Sequence, residues 1–254
     1  TFCEDGQDSI LICPPTFGYY KTVADIQGAK TIEVPLSDSY EWDVEGIHKA
    51  ASETKKLKAI FICSPNNPTG NEIARNSVLE LATAFPNTFI AVDEAYIEFS
   101  ESESFIGDIT DYPNLVILRT LSKAYALAGV RGGCAIADER VIELMLKVLP
   151  PYPIARPVEN AILSALAPAA MGVHAERLAE TLEERERMAR ELQKSPFVKT
   201  VYPSAANFLL LEVKEDEGLI RELSKRAIKI RDYRSTTGRM RISIGSPAEN
   251  TLAL

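Results

Sequence analysis

Two histidines, four scattered cysteines and no long apolar run set the first limits on this chain of 254 residues. Only His48 and His174 are available, and no CxxC pair exists among Cys3, Cys13, Cys63 and Cys134. A zinc site or a Cys–His nucleophile pair is therefore poorly supported, and no metal is expected. Both histidines sit in polar helical stretches and read as surface residues. Cys13, Cys63 and Cys134 lie in or beside apolar strand-like runs, so buried reduced thiols and a reducing compartment are expected. A net charge of −8 leaves neither nucleic acid nor an anionic membrane as the default partner, so any anion site must be built from locally clustered arginines. No stretch is long and apolar enough to span a bilayer, and no basic-then-apolar leader opens the sequence. A GxxxxGKS loop is absent, and Gly129-Val-Arg-Gly-Gly133 is not a GxGxxG following a βα start. Nucleotide phosphoryl transfer and dinucleotide binding both lose their signature.

What is present is ordinary for a soluble globular protein: 46% hydrophobic and 25% charged residues, in a length that allows a large domain plus a smaller one. Short apolar runs alternate with helical patterns. Ser9-Ile-Leu-Ile-Cys13, Thr31-Ile-Glu-Val34, Leu57 to Cys63, Thr88-Phe-Ile-Ala-Val92, Leu115-Val-Ile-Leu118 and Gly133-Cys-Ala-Ile-Ala137 read as six strands. Helices are expected over 19–27, stopped by Gly28, over 43–55 and over 77–85. This alternation predicts an α/β fold with a mostly parallel sheet covered on both faces. After Val148-Leu-Pro-Pro-Tyr-Pro153 the composition shifts, with helices expected over 158–168 and 175–193, the second carrying a stripe of Leu178, Leu182 and Leu192. Strand-like runs Phe208 to Glu212 and Met240 to Ile244 flank a helix near 216–227. The expected division is a large domain over 1–174 and a smaller C-terminal α+β domain over 175–254. Each is read as incomplete, because the chain starts at Thr1 without methionine and stops inside a starting helix at Leu254.

Three consecutive strands end in complementary polar groups. Asn67 lies in the turn Ser64-Pro-Asn-Asn-Pro-Thr-Gly70, Asp93 and Tyr96 follow the fourth strand, and Thr120, Ser122, Lys123 and Arg131 follow the fifth. Strand ends in open α/β sheets gather along one edge, where ligands sit. A lone lysine after a strand is usually a solvated surface cation, but a lysine beside a carboxylate, a phenol, an amide and an arginine fits a phosphorylated pyridine aldehyde. Further on, Arg231, Arg234, Arg239 and Arg241 form a second cluster in an acidic protein, with Arg241 inside an apolar strand.

These motifs resemble the fold-type I pyridoxal-phosphate (PLP) aminotransferases, and within them the histidinol-phosphate aminotransferase family. Cys13-Pro-Pro-Thr-Phe-Gly18, the Asn-Pro-Thr-Gly turn, Val92-Asp-Glu-Ala-Tyr-Ile-Glu-Phe99, Leu118-Arg-Thr-Leu-Ser-Lys-Ala-Tyr-Ala-Leu-Ala-Gly129, Pro151-Tyr-Pro153, Tyr202-Pro-Ser204 with Asn207 and Met240-Arg-Ile-Ser-Ile-Gly245 are collinear and span nearly the whole chain. The resemblance implies the fold-type I large domain and pyridoxal 5′-phosphate as cofactor. Lys123 would be the Schiff-base lysine and the base that moves a proton between Cα and C4′. Asp93 would pair with the protonated ring nitrogen, Tyr96 and Asn67 with the phenolic oxygen, and Thr120, Ser122 and Arg131 with the phosphate. Phe17 occupies the position where the family often has a tyrosine stacked on the ring, keeping the stacking face and losing a hydroxyl. Arg241 matches an arginine for the substrate's carboxylate or anion, and Arg231 a contact to its phosphate end.

The implied activity is transfer of an amino group from a small-molecule donor, histidinol phosphate, to a 2-oxo acid in histidine biosynthesis. A cytoplasmic homodimer is expected, with a plastid location left open and with no nucleic acid or membrane partner. Upstream segments of the family, a Gly-Ala-Asp-Glu phosphate turn and an arm reaching the neighbouring subunit, have no counterpart here. The alternatives are an aromatic amino-acid aminotransferase or threonine-phosphate decarboxylase of the same fold, a non-catalytic PLP-fold module, and an inactive truncated product.

Overall fold

A computed structural model describes residues 2–214, 217–233 and 238–254. The six expected strands pair into one sheet: β1 (Ser9–Ile12), β2 (Lys30–Glu33), β3 (Leu57–Cys63), β4 (Phe89–Asp93), β5 (Leu115–Thr120) and β6 (Gly133–Ala137), in the order β2-β1-β3-β4-β5-β6. The first five run parallel. Their centre is apolar on both faces: Ile60, Ile62, Ile90, Val92, Leu115 and Ile117 share one face and are inaccessible to water, and Ala59, Ala91 and Val116 are buried on the other. Burying each such side chain contributes roughly 1.5–3 kcal/mol. The edge strand β6 returns antiparallel to β5, with Thr120 opposite Gly133. The link between them contains only a short 3-10 turn at Ala128–Val130, whereas parallel neighbours need a crossover of a dozen residues or more, usually helical.

Helices α1 (Tyr19–Gln27), α2 (Val44–Glu53) and α3 (Arg75–Ala84) connect these strands. α1 ends on Gly28 in the left-handed conformation, φ 72°, with its N–H on the carbonyls of the last turn, as the sequence predicts. α4 (Glu139–Leu146) was not foreseen; α5 (Arg156–Ala165) and α6 (Pro168–Leu192) follow it. The expected division between residues 174 and 175 falls inside α6, whose proline start lies seven residues upstream of the predicted helix.

A second sheet orders β7 (Val198–Val201), β8 (Phe208–Val213), β10 (Arg239–Ser243) and β9 (Arg231–Tyr233), all antiparallel, with α7 (Glu217–Lys225) and α8 (Pro247–Ala253) beside it. Met188 and Leu192 of α6 pack with Leu209, Leu211, Met240 and Ile242 in a core separate from that of the large sheet.

The two sheets meet at a third cluster, formed by Tyr96, Phe99, Ala206 and Phe208, with Leu178 and Leu182 of α6 against it. Arg185 on the same helix donates from Nη1 to the carbonyls of Phe99 at 3.0 Å and Ala206 at 3.3 Å. Gly70 lies at φ 81°, and any Cβ there would strike the Ser204 side chain; its carbonyl accepts from Ala205 N–H at 2.8 Å. Two sequence expectations fail. Cys134 is exposed, because it sits on the edge strand. His174 is not a plain surface residue: it stacks on Tyr125 with centroids 4.5 Å apart, and its Nε2 is buried without a hydrogen-bond partner.

Candidate active site

The ends of β3, β4 and β5 lie side by side, as their order in the sheet requires, and the polar residues past each end face the second sheet. Between them is a cavity of about 870 Å³. Lys123, Tyr96, Asn67 and Phe17 line it from the large sheet, and Arg231 and Arg241 from the other. Arg241 and Arg231 are direct cross-strand partners on β10 and β9, which places both side chains on one face. Arg234 lies outside the described residues. Arg239 turns away from the cavity to Glu212, at 3.2 Å, and to the Tyr202 hydroxyl, at 2.9 Å.

Lys123 is open to solvent through the cavity as a residue, but its amine end is partly enclosed. That loss of water, with repulsion from Arg241 and Arg131, lowers its pKa, against an opposing pull from Asp93. The amine stands 5.3 Å from the centre of the Tyr96 ring. Tyr96 is pushed up to about 12, chiefly by burial, and stays a phenol; its ring meets Phe208 edge-on at 5.2 Å. The Arg241 guanidinium lies over the same Phe208 ring at 4.8 Å and donates from Nη1 to Asn67 Oδ1 at 2.5 Å. Its Nε is buried without a partner. A charged donor in that condition, beside an amine and an amide, is a site for an anionic ligand group.

Asp93 ends β4 behind the cavity rather than on its wall. Burial raises its pKa, and two donors oppose that: Tyr20 Oη at 2.5 Å to Oδ2 and Ala95 N–H at 3.0 Å to Oδ1. Thr120 at the end of β5, and Ser122 and Arg131 in the β5–β6 link with Lys123, do not line the cavity either. Ser122 N–H donates to Thr120 Oγ1 at 3.1 Å, and the exposed Arg131, left-handed at φ 61°, donates to the Ala128 carbonyl. Phe17 is 42% exposed and rests its ring against the edge of Tyr20, 5.5 Å between centroids.

Two supports escape sequence reasoning. Tyr20 looks like any helix-start aromatic, and its partner Asp93 lies on a distant strand. The second is a charge network: Glu94, inaccessible to water, accepts from Ser104 Oγ, from Phe105 N–H and from Arg119 at 3.3 Å, while Arg119 also reaches Glu98 at 2.5 Å. It ties the Asp93–Tyr96 segment to the strand leading into Lys123. Opposite charges ending neighbouring strands are its only trace in the sequence.

Comparison with known proteins identifies the family and the fold. Residues 1–254 match the aminotransferase class I and II family. The chain is 42% identical to a histidinol-phosphate aminotransferase of Idiomarina loihiensis, over 98% of this chain and 71% of that protein. The crystal structure of the histidinol-phosphate aminotransferase from Clostridium acetobutylicum superimposes with a TM-score of 0.88, 28% identity, and coverage of 96% of this chain and 75% of that one. That of Sinorhizobium meliloti, in complex with pyridoxal-5′-phosphate, gives a TM-score of 0.84 at 25% identity over 99% of this chain and 69% of that one. An amine on a parallel sheet edge, facing two arginines across a seam and matched over its whole length by one family, makes this chain a member of the class I and II aminotransferases.

Proposed function

We propose that this chain is a pyridoxal-phosphate-dependent aminotransferase whose amino donor is histidinol phosphate and whose acceptor is a 2-oxo acid, 2-oxoglutarate. The observation that carries the reading is one cavity with a partly enclosed lysine amine on one side and two arginines on the other. The donor set fits the cofactor: an amine for its aldehyde, a buried carboxylate for a cationic ring nitrogen, and a phenol and an amide for its phenolic oxygen. When bound, pyridoxal phosphate supplies the aldehyde and a ring that takes up the electron pair left on Cα.

The residues of the chain do the rest. Lys123, biased toward the neutral amine, accepts the proton from the substrate's Cα and returns it on the other side of the exchange. Asp93 offers a full negative charge to the ring nitrogen. Asn67 has its carbonyl oxygen engaged by Arg241, which leaves its amide N–H groups for the phenolic oxygen, joined there by Tyr96. Thr120, Ser122 and Arg131 are assigned to the cofactor phosphate, and Phe17 to stacking on its ring. Arg241 and Arg231 would hold the donor's phosphate, and Arg241 the acceptor's carboxylate, since a donor carrying phosphate needs an anion site besides the cofactor's. The domain division at 174/175 is read as the line between cofactor-holding and substrate-holding parts. A homodimer fits the apolar side chains exposed from the end of α4 to the start of α5, among them Leu146, Val148 and Tyr152, the last 92% exposed. Among the described residues no helix is long and apolar enough to cross a membrane, and the cytoplasm is the proposed compartment.

A visible-absorbance titration with pyridoxal phosphate tests the reading. The wild-type chain should develop a lysine-dependent band that histidinol phosphate bleaches, and Lys123→Ala should show no band and lose at least ~10³-fold in transamination. A band indifferent to histidinol phosphate would overturn the donor assignment; a band that survives Lys123→Ala would overturn the lysine.

A further inference from the structure

Tyr20 has three contacts that converge on the cofactor side of the site. Its ring stacks on Phe61 of β3 at 5.0 Å with an interplanar angle of 22°, its edge supports Phe17, and its hydroxyl donates to Asp93 Oδ2 at 2.5 Å. The residue is 5% exposed. We propose that Tyr20 is a positioning residue for the cofactor: through its hydroxyl it keeps Asp93 charged and aimed at the ring nitrogen, and through its ring it fixes Phe17. This rests on the aminotransferase reading and adds a residue to it.

The hydroxyl's role follows from its neighbours. An ionised carboxylate can only accept, so the Tyr20 proton has to point at Asp93. Burial holds the Tyr20 phenol well above its usual range, and Cys63, opposite Asp93 on β3, is pushed up to about 12 by burial and then by Asp93. Neither loses its proton near neutrality. The titratable and charged groups facing Asp93 are thus Tyr20 from α1, Cys63 from β3, Tyr96 and Lys123. Among these, Tyr20 gives the one side-chain hydrogen bond to the carboxylate, and the other donor is backbone. Charge-assisted bonds of this kind offset the cost of burying an anion. Without Tyr20, burial keeps raising Asp93 while one of its two opposing donors is lost, so Asp93 takes up a proton at a higher pH. A neutral carboxylic acid cannot balance a cationic ring nitrogen.

Tyr20→Phe keeps the ring and its stacking and removes only the hydroxyl. The test measures its affinity for pyridoxal 5′-phosphate from pH 8 to pH 6, beside that for the 1-deaza analogue, in which a C–H replaces the ring nitrogen. The expected result is about a tenfold loss for pyridoxal phosphate at pH 8, one charge-assisted hydrogen bond, widening as the pH is lowered. The deaza analogue should bind both proteins equally. Equal losses for the two ligands, or a loss for pyridoxal phosphate that does not change with pH, would overturn the proposal. Should Tyr20→Phe fail to fold, the same substitution is made on Asp93→Asn, where no charge is buried. There it should cost pyridoxal phosphate nothing further, and an additive loss would overturn the proposal. Failure of the wild-type chain to bind pyridoxal phosphate at pH 8 would instead strike the aminotransferase reading itself.

Discussion

The two sheets that face each other across the cavity present their side chains in opposite ways. The large sheet is parallel, and its chemistry stands past the ends of its strands: Asn67 after β3, Asp93 at the tip of β4, Lys123 beyond β5. The small sheet is antiparallel and offers side chains from within its strands, Arg231 opposite Arg241. Strand ends leave the backbone free to turn and bring unlike groups together. Directly paired positions on neighbouring strands point to the same face and suit like groups acting as a pair. On the proposed reading the first arrangement serves a cofactor with several different edges, and the second a single anionic group.

The sharpest way to break this contrast is Arg241→Ala. If the small sheet serves the substrate, KM for the phosphate-bearing donor should rise about 10- to 100-fold, the worth of a charge-assisted bond, with pyridoxal phosphate affinity nearly unchanged. Because Arg241 helps to depress Lys123, its removal should also raise the pKa of the lysine, moving the acid limb of the pH–rate profile to higher pH. A loss confined to cofactor affinity would erase the division of labour.

A smaller effect should follow from Glu184→Gln on α6. Glu184 accepts from Arg187 at 2.8 Å and from Asn250 at 2.7 Å, and its carboxyl is held down at about 2, chiefly by Arg187. Its surface is covered, 8% exposed, yet it lies at the rim of the small unit, so the expected loss at pH 7 is set low, about 1–2 kcal/mol by denaturant unfolding. The folded-state value is depressed, so the stabilisation is fully present above the ordinary value of 4.5 and is lost as pH falls through about 2; wild type and variant should converge only at about pH 2 and below. Cofactor binding should not notice. The mildest probe is Phe17→Tyr, which restores a hydroxyl on a ring already 42% exposed; pyridoxal phosphate affinity should change by less than about threefold.

The sequence was most informative where chemistry and local geometry coincide. Gly28 announces the end of α1 because a left-handed stop favours glycine, and Lys123, Asp93 and Asn67 stand at the ends of apolar runs that can only be buried strands. Arg241 was legible as an arginine out of place in an apolar strand. The short strands β7 and β9, with four and three residues, carry too few positions to show a period, and they exist because β8 and β10 offer them an edge. Tyr20 and Arg185 were invisible for a different reason: their partners lie 73 and 86 residues away, and no local pattern encodes a bond of that span. The direction of β6 was hidden in the link before it, whose length allows either sense until its lack of a helix is seen.

α6 is a rod as well as a connector. Its 25 residues extend about 37 Å without a break. Near its far end Met188 and Leu192 are embedded in the core of the small sheet; three residues before Met188, Arg185 donates to the Phe99 carbonyl in the segment after Tyr96; near its start His174 lies flat on Tyr125, two residues beyond Lys123. The fixed rise of a helix sets the spacing between these three contacts. One element thus links the small sheet that carries Arg231 and Arg241 to the loop that carries Lys123, even though these residues belong to different sheets.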